Sequence, residues 1–363
     1  MGAVTQVDAR ELASRLGGPD EPFLVDVREP AEVAEWSIPG AVNIPLGQLT
    51  GRTGELPRDR TVVTLCASGA RSMAAAEWLT AQGYGVANLT GGMAAWATVY
   101  DTASVAAGDT EVVQIRRRAK GCLSYMVGAG DAAFVIDPSS DLEVYEGVAA
   151  QHGWQITRVF DTHLHADHLS GARALAQRTG ATLHLNPADH FGFPFTPLTD
   201  REAFPLPSGT AMEVSVLHTP GHTEGSTIYR IGDAVVLTGD TLFVDGVGRP
   251  DLAERAEPFA RQLHRSLQER VLSLPDEARI LPAHHGSDVR VVPGETVGAP
   301  LGRLRQELTA LRMDEEAFVR WAVARVTARP PHYQEIVRAN LAADPDTLAA
   351  LRPLEAGPNR CAA

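Results

Sequence analysis

Residues 161–171 read DTHLHADHLSG, and no other stretch limits the fold of this chain so tightly. Three histidines and two aspartates stand within positions 161–168. An apolar core would bury such groups only at a large desolvation cost. Imidazoles and carboxylates at this spacing can instead converge on a metal ion. The apolar run TRVFDTH leads in and the helical pattern GARALAQRTG leads out, so the cluster sits on a strand-to-helix turn. Downstream, HTPGHTEGS carries His218 and His222, LTGDTLF carries Asp240, and LPAHHG carries His284 and His285. Asp240 and His284 follow apolar strands and His222 follows a strand and turn, so these residues can project from one end of the sheets. His152, His184, His190, His264 and His332 read as ordinary surface or core residues.

The 363 residues suit two domains and a tail. In the first hundred, FLVDV, TVVTLC and GVANL are apolar strand runs alternating with helical patterns, SMAAAEWLTAQ among them. That alternation implies a mostly parallel sheet covered by helices, an α/β fold. YDTASVAAGDTE is small, polar and weakly patterned and reads as a linker. The runs VVQIRR, CLSYMVG, AAFVIDP, ATLHL, EVSVLHT, STIYRIG and AVVLTGDTLF then imply two sheets with helices outside. From about Gly302 the pattern is helical, LRQELTALR and then EEAFVRWAVARV, and Pro330-Pro331 stops the second of these helices. The divisions expected are a parallel-sheet domain over 1–102, a linker over 103–111, a two-sheet domain over 112–298 and a helical extension over 299–363.

Cys66 lies in LCASGARS, where a strand ends and a helix begins. A helix N-terminus offers unpaired N–H groups and a positive dipole end, which favour a thiolate. Arg71 adds a nearby cation, and the result is a nucleophile ready at neutral pH. The alternative is a buried thiol with no chemistry. Cys122, within a strand, reads as core. Three scattered cysteines, Cys66, Cys122 and Cys361, form no disulfide framework and fit a reducing, cytoplasmic setting.

LVDVREPAEVAEWSIPGAVNIP, CASGAR and GGMAAW together resemble the rhodanese family. The resemblance implies that Cys66 carries a persulfide sulfur cradled by loop N–H groups, with Asp26 and Arg28 holding the loop in place. HxHxDH with the later His222, Asp240 and His284 resembles the metallo-β-lactamase superfamily over about 110–295, which implies an αββα sandwich. That fold serves thioester hydrolases, lactonases, nucleases and oxygenases.

Two metal arrangements are open on these ligands. A hydrolase would place His163, His165 and His222 on one zinc, Asp167, His168 and His284 on a second, and Asp240 between them, lowering the pKa of a shared water. An oxygenase needs two histidines and one carboxylate on one iron, and His163, His222 and Asp240 would supply them. THLHADHLSG, GVGRPDL, GCLSYMVG and the tail segment 295–322 resemble the persulfide dioxygenase branch, also called sulfur dioxygenases. That resemblance implies one Fe(II) per chain on His163, His222 and Asp240, second-site residues that typically stay empty, and an arginine matching Arg249 that binds the thiol substrate. In PAHHG, His285 stands where some members of the branch carry an acidic residue, and it is an alternative to His284 as a second-site ligand.

The expected function is oxidation of a glutathione persulfide-like thiol persulfide by O2 to sulfite, coupled to rhodanese sulfur transfer. The alternatives are a dinuclear-zinc, glyoxalase II-like thioester hydrolase and a non-catalytic sulfur carrier or sensor. A net charge of −13 argues against a nucleic-acid partner, and no apolar run is long enough to span a bilayer. The one dense basic run, Arg116, Arg117, Arg118 and Lys120, reads as a solvated strand edge. The helical tail is a candidate interface between copies of the chain.

Overall fold

The computed structural model describes residues 4–206, 213–250, 255–286, 289–326, 329, 332–342 and 350–351. Cys361, the Pro330-Pro331 stop and the end of the tail lie outside the described residues.

The first domain is a five-stranded sheet in the order Thr5–Val7, Val86–Leu89, Val62–Leu65, Phe23–Asp26, Val42–Asn43, with every neighbouring pair parallel. Its central strands are buried on both faces, which is why they read as continuous apolar runs. Leu12, Leu65, Leu89 and Trp96 fill one face; Val25, Val62, Ala75 and Leu79 fill the other. The helix after Cys66 spans Ala70–Ala81.

The second domain has a seven-stranded and a six-stranded sheet. Leu123, Tyr125, Phe134 and Phe160 of the first pack against Val214, Val216, Tyr229 and Leu237 of the second. Helices Leu142–His152 and Ala172–Thr179 cover one outer face. Helices Ala256–Ser266, Leu301–Glu307 and Glu315–Ala324 cover the other, giving four αββα layers. The helical extension is therefore part of that outer layer, and its helix Tyr333–Ala342 reaches the Leu169 side of the histidine cluster.

The expected linker is not one. Tyr100–Ala107 is an edge strand of the seven-stranded sheet, paired antiparallel along its length with Thr110–Arg117. Its inward residues, Ala103 and Ala107, are buried but too small to stand out as an apolar alternation. The basic run is not a solvated edge either. Arg116 is buried, with its Nε 2.6 Å from Asp101 Oδ1 and its Nη1 donating to the Val292 carbonyl at 3.1 Å. The domains touch directly: Arg290 donates to the Gly17 carbonyl at 3.1 Å, beside a cavity of about 240 Å³ lined in part by Trp96, Arg118 and His285. Among the described residues no helix is long and apolar enough to cross a membrane.

Candidate active sites

Cys66 is buried immediately after its strand. Its Sγ receives the Gly69 N–H at 3.2 Å and the Ser72 hydroxyl at 3.4 Å. Gly69 takes a φ of 97°, a left-handed turn that glycine adopts at no steric cost. The Gly91-Gly92 turn clamps the loop from behind. A Cβ on Gly92 would come within 2.1 Å of the Cys66 carbonyl, which accepts the Met93 N–H at 2.8 Å. Burial pushes the thiol pKa up, but the Ser72 hydroxyl and the N–H groups of Ser72, Ser68 and Gly69 outweigh it, and the net shift is downward. Arg71 is engaged by Glu32 at 2.7 and 2.8 Å, a half-exposed pair at the rim of the loop. Asp26 and Arg28 form a fully buried pair at 2.6 Å, and Arg28 also donates to the Trp36 carbonyl.

In the second domain the metal-type donors fall into three buried groups, each with its ligand atoms within 4.8 Å of one another. The first is His163, His222 and Asp240; the second is Cys122, Asp167, His168 and His284; the third is Asp137, Asp161 and His165.

In the first group, Asp240 Oδ2 lies 3.6 Å from His163 Nε2 and 3.4 Å from His222 Nε2. None of these three buried atoms has a hydrogen-bond partner. The opposite ring nitrogens are held, His163 Nδ1 by Thr162 Oγ1 at 2.8 Å and His222 Nδ1 by the Arg249 carbonyl at 3.0 Å. Burial, and for His163 also the neighbouring His165, drives both imidazole pKa values down. Burial raises Asp240, but His284 and His163 overcome it and its pKa falls below the usual carboxylate value. Neutral imidazoles beside an ionised carboxylate are the protonation states a metal ion requires. The residues present fit a metal.

His165 stands apart from that group. Its Nε2 is 3.2 Å from Asp137 Oδ1, while its Nδ1 has no hydrogen-bond partner. Asp137 also accepts the Thr162 N–H at 2.6 Å and the Thr162 hydroxyl at 2.9 Å, from a strained φ of 55°. Burial lifts Asp161 to about 6, against the pull of His165.

The second group differs from expectation at one place. Cys122 does not simply fill the core; its thiol joins Asp167, His168 and His284. The strand Cys122–Ala129 begins against the loop after Arg279–Pro282, pairing Cys122 with His284. His284 also holds Asp240 Oδ1 at 2.6 Å through Nδ1, so Asp240 spans the first two groups. His285 points elsewhere: its Nδ1 is 2.9 Å from the Gly286 carbonyl, and it lines the cavity between domains.

Arg249 is buried beside the first group, on a turn where a Cβ on Gly248 would come within 2.0 Å of the Asp240 carbonyl. Two supports carried no signal in sequence. Asp189 accepts the Leu164 and Gly225 N–H groups, each at 2.8 Å, tying together two ligand-bearing loops. Asn340 holds the cluster from the extension, accepting the Ser170 N–H at 2.9 Å.

Comparison with known proteins agrees with this division. The Rhodanese-like domain model matches residues 8–98 and the Metallo-beta-lactamase superfamily model matches 117–284. A sulfurtransferase of Allochromatium vinosum is 46% identical over 26% of this chain and 89% of its own. A hydroxyacylglutathione hydrolase of Methylobacillus flagellatus is 36% identical over 42% of this chain, which spans 57% of that protein's length. A protein of the same name from Methylococcus capsulatus is 34% identical, over 53% of this chain and 73% of its own. The crystal structure of ETHE1 from Myxococcus xanthus superposes with a TM-score of 0.56 at 28% identity, over 64% of this chain and 98% of that one. The chain therefore belongs to the metallo-β-lactamase superfamily and carries a rhodanese-like sulfurtransferase domain ahead of that fold.

Proposed function

We propose that the chain oxidises a low-molecular-weight thiol persulfide, of the glutathione persulfide kind, to sulfite at a mononuclear iron held by His163, His222 and Asp240, and that Cys66 exchanges sulfane sulfur with such thiols. The observation that carries this reading is the three-donor group itself. Two imidazoles and one carboxylate converge with free ligand atoms, while His165 turns its Nε2 to Asp137. Such a set leaves open positions on iron for O2 and substrate. The likeness to ETHE1 supports the same reading.

Bound iron would supply the redox chemistry that joins oxygen to sulfur. Overall, RSSH, O2 and H2O give RSH, sulfite and two protons; the sulfane sulfur loses four electrons and O2 gains them. Thr162 and the Arg249 carbonyl fix the two imidazoles so that each presents Nε2. We assign to the Arg249 side chain the binding of the thiol carrier's acidic groups. At Cys66 the thiolate attacks the outer sulfur of a persulfide, forms an S–S bond and releases the carrier thiolate. The Gly69 and Ser72 donors hold the resulting charge. The two domains thus share a substrate, and sulfur held on Cys66 can also pass to sulfite to give thiosulfate.

One observation favours a second reading. His165 Nδ1 has no hydrogen-bond partner and could join His163 and His222 on a zinc ion, as a thioester hydrolase requires. The hydroxyacylglutathione hydrolase relatives point the same way. Product analysis separates the two. With glutathione persulfide and O2, sulfite should form in a one-to-one ratio to oxygen consumed. Release of thiol from a glutathione thioester, with no sulfite from persulfide, would overturn the dioxygenase reading.

A further inference from the structure

We propose that the cavity between the two domains binds a small organic anion, whose oxyanion head pairs with Arg118 and Arg290 and whose apolar body lies against Leu16, Pro39 and Val289. None of the residues lining this cavity belongs to the Cys66 loop or to the three donor groups.

Both domains build the walls, and contacts on two sides hold them together. Leu16, Pro39 and Trp96 come from the first domain, and Arg118, Val289 and Arg290 from the second. Arg290 donates to the Gly17 carbonyl at 3.1 Å. Gly17 takes a φ of 81°, and a Cβ there would come within 2.9 Å of the Val291 carbonyl. At the other wall the Arg118 N–H donates to the Val99 carbonyl at 3.1 Å. The volume, about 240 Å³, lies below the roughly 300–1,000 Å³ of pockets for drug-sized ligands, so the occupant is small.

Charge at this seam is out of balance. The Arg118 side chain is 7% exposed, and that of Arg116 behind it 1%. Both rely on one carboxylate: Asp101 Oδ1 lies 2.6 Å from Arg116 Nε, and Asp101 Oδ2 lies 3.1 Å from Arg118 Nη1. A buried cation is costly unless it is fully paired. Burial, with Arg116 beside it, draws the Arg118 pKa below its ordinary value despite Asp101. Arg290 adds a third guanidinium. Glu21, the one acidic group among the described lining residues, stands 4.0 Å from it. Three guanidiniums thus face two carboxylates, and an anion supplies the missing charge. Trp96 adds a neutral donor: it is 1% exposed, yet its Nε1 has no hydrogen-bond partner. Leaving such a group unpaired costs about 1–3 kcal/mol. Guanidinium and indole N–H groups only donate, so an acceptor-only head such as a carboxylate or sulfonate complements them.

The inference does not depend on the reaction at either active site. Full-length protein carrying isotope-labelled tryptophan, read by NMR, tests it. Loss of a signal in Trp96→Phe assigns the Trp96 indole N–H. Titration with sodium pentanoate, at ionic strength held constant with chloride, should shift that signal saturably, and pentanol should not. Sulfate, which has the head without the body, should bind more weakly than pentanoate. Arg118→Gln should weaken pentanoate binding at least tenfold. Should that variant fail to fold, Arg290→Gln, at a largely exposed side chain, should still weaken it severalfold. No saturable shift with pentanoate, an equal shift with pentanol, sulfate binding as tightly as pentanoate, or unchanged affinity in the folded arginine variants would overturn the proposal.

Discussion

The side-chain amide of Asn340 donates to the carbonyl of His168 at 2.9 Å, joining helix Tyr333–Ala342 to the loop of the histidine cluster. The same amide donates to the His165 carbonyl at 2.9 Å, and its oxygen accepts the Ser170 N–H at the same distance. One buried residue of the extension therefore fixes the backbone from which His165, Asp167 and His168 project. Asn340→Ala leaves two carbonyls and one N–H without partners, each worth about 1–3 kcal/mol when buried. The expected result is a lower Tm and a metal affinity reduced roughly 10–100-fold, as for other residues that support metal ligands. Asn340→Asp keeps the acceptor for Ser170 and loses both donors, so metal loss there assigns the effect to the two carbonyls. Unchanged metal content and Tm in Asn340→Ala would contradict this role.

Sulfur transfer through Cys66 should follow its thiolate. Its pKa is lowered in the folded protein, so at any pH below the ordinary thiol range more of it is ionised than in a free cysteine. The rate of persulfide formation should rise with pH through that lowered value and level off before a free thiol would. Ser72→Ala removes a leading downward influence on the thiol. It should move the rising limb toward higher pH and leave the plateau nearly unchanged. Stopped-flow persulfide transfer across a pH series measures this. A limb that stays in place in Ser72→Ala would mean that Ser72 does not stabilise the thiolate.

Gly248 should tolerate no side chain. A Cβ there would lie 2.0 Å from the Asp240 carbonyl and 3.2 Å from His222 Cβ, so the turn must shift and take the Arg249 carbonyl with it. Overpacking of this kind costs typically 1–3 kcal/mol or more. Because that carbonyl orients His222, Gly248→Ala should lose metal as well as stability. Elemental analysis of the variant tests this, and full metal occupancy would show that the turn can yield without disturbing the ligand.

Much of this molecule was legible in its sequence, for physical reasons that also mark the limits. The apolar runs Phe23–Asp26, Val62–Leu65 and Val86–Leu89 read as strands because both their faces are buried. The gathering of His163, His222 and Asp240 was legible in sequence because no core buries such groups without cause. Sequence could not show which ring nitrogen of His165 faces Asp137, since that depends on a carboxylate from another strand. Nor could it show Cys122 beside His284, a contact made where two sheets approach. Tyr100–Ala107 was misread as a linker because its inward residues, Ala103 and Ala107, are too small to mark a buried face. Asn340 sits in a helical extension that carried no site motif, and only the packed structure shows what its amide holds.

The proposed dioxygenase chemistry needs an iron held by His163, His222 and Asp240. The decisive measurement is oxygen uptake on glutathione persulfide by protein of known metal content, compared with Asp240→Ala. The account predicts one iron per chain in the active preparation, rapid uptake that scales with that iron, and loss of both in the variant. Uptake absent from iron-loaded protein, with thioester hydrolysis tracking two zinc ions instead, would contradict it.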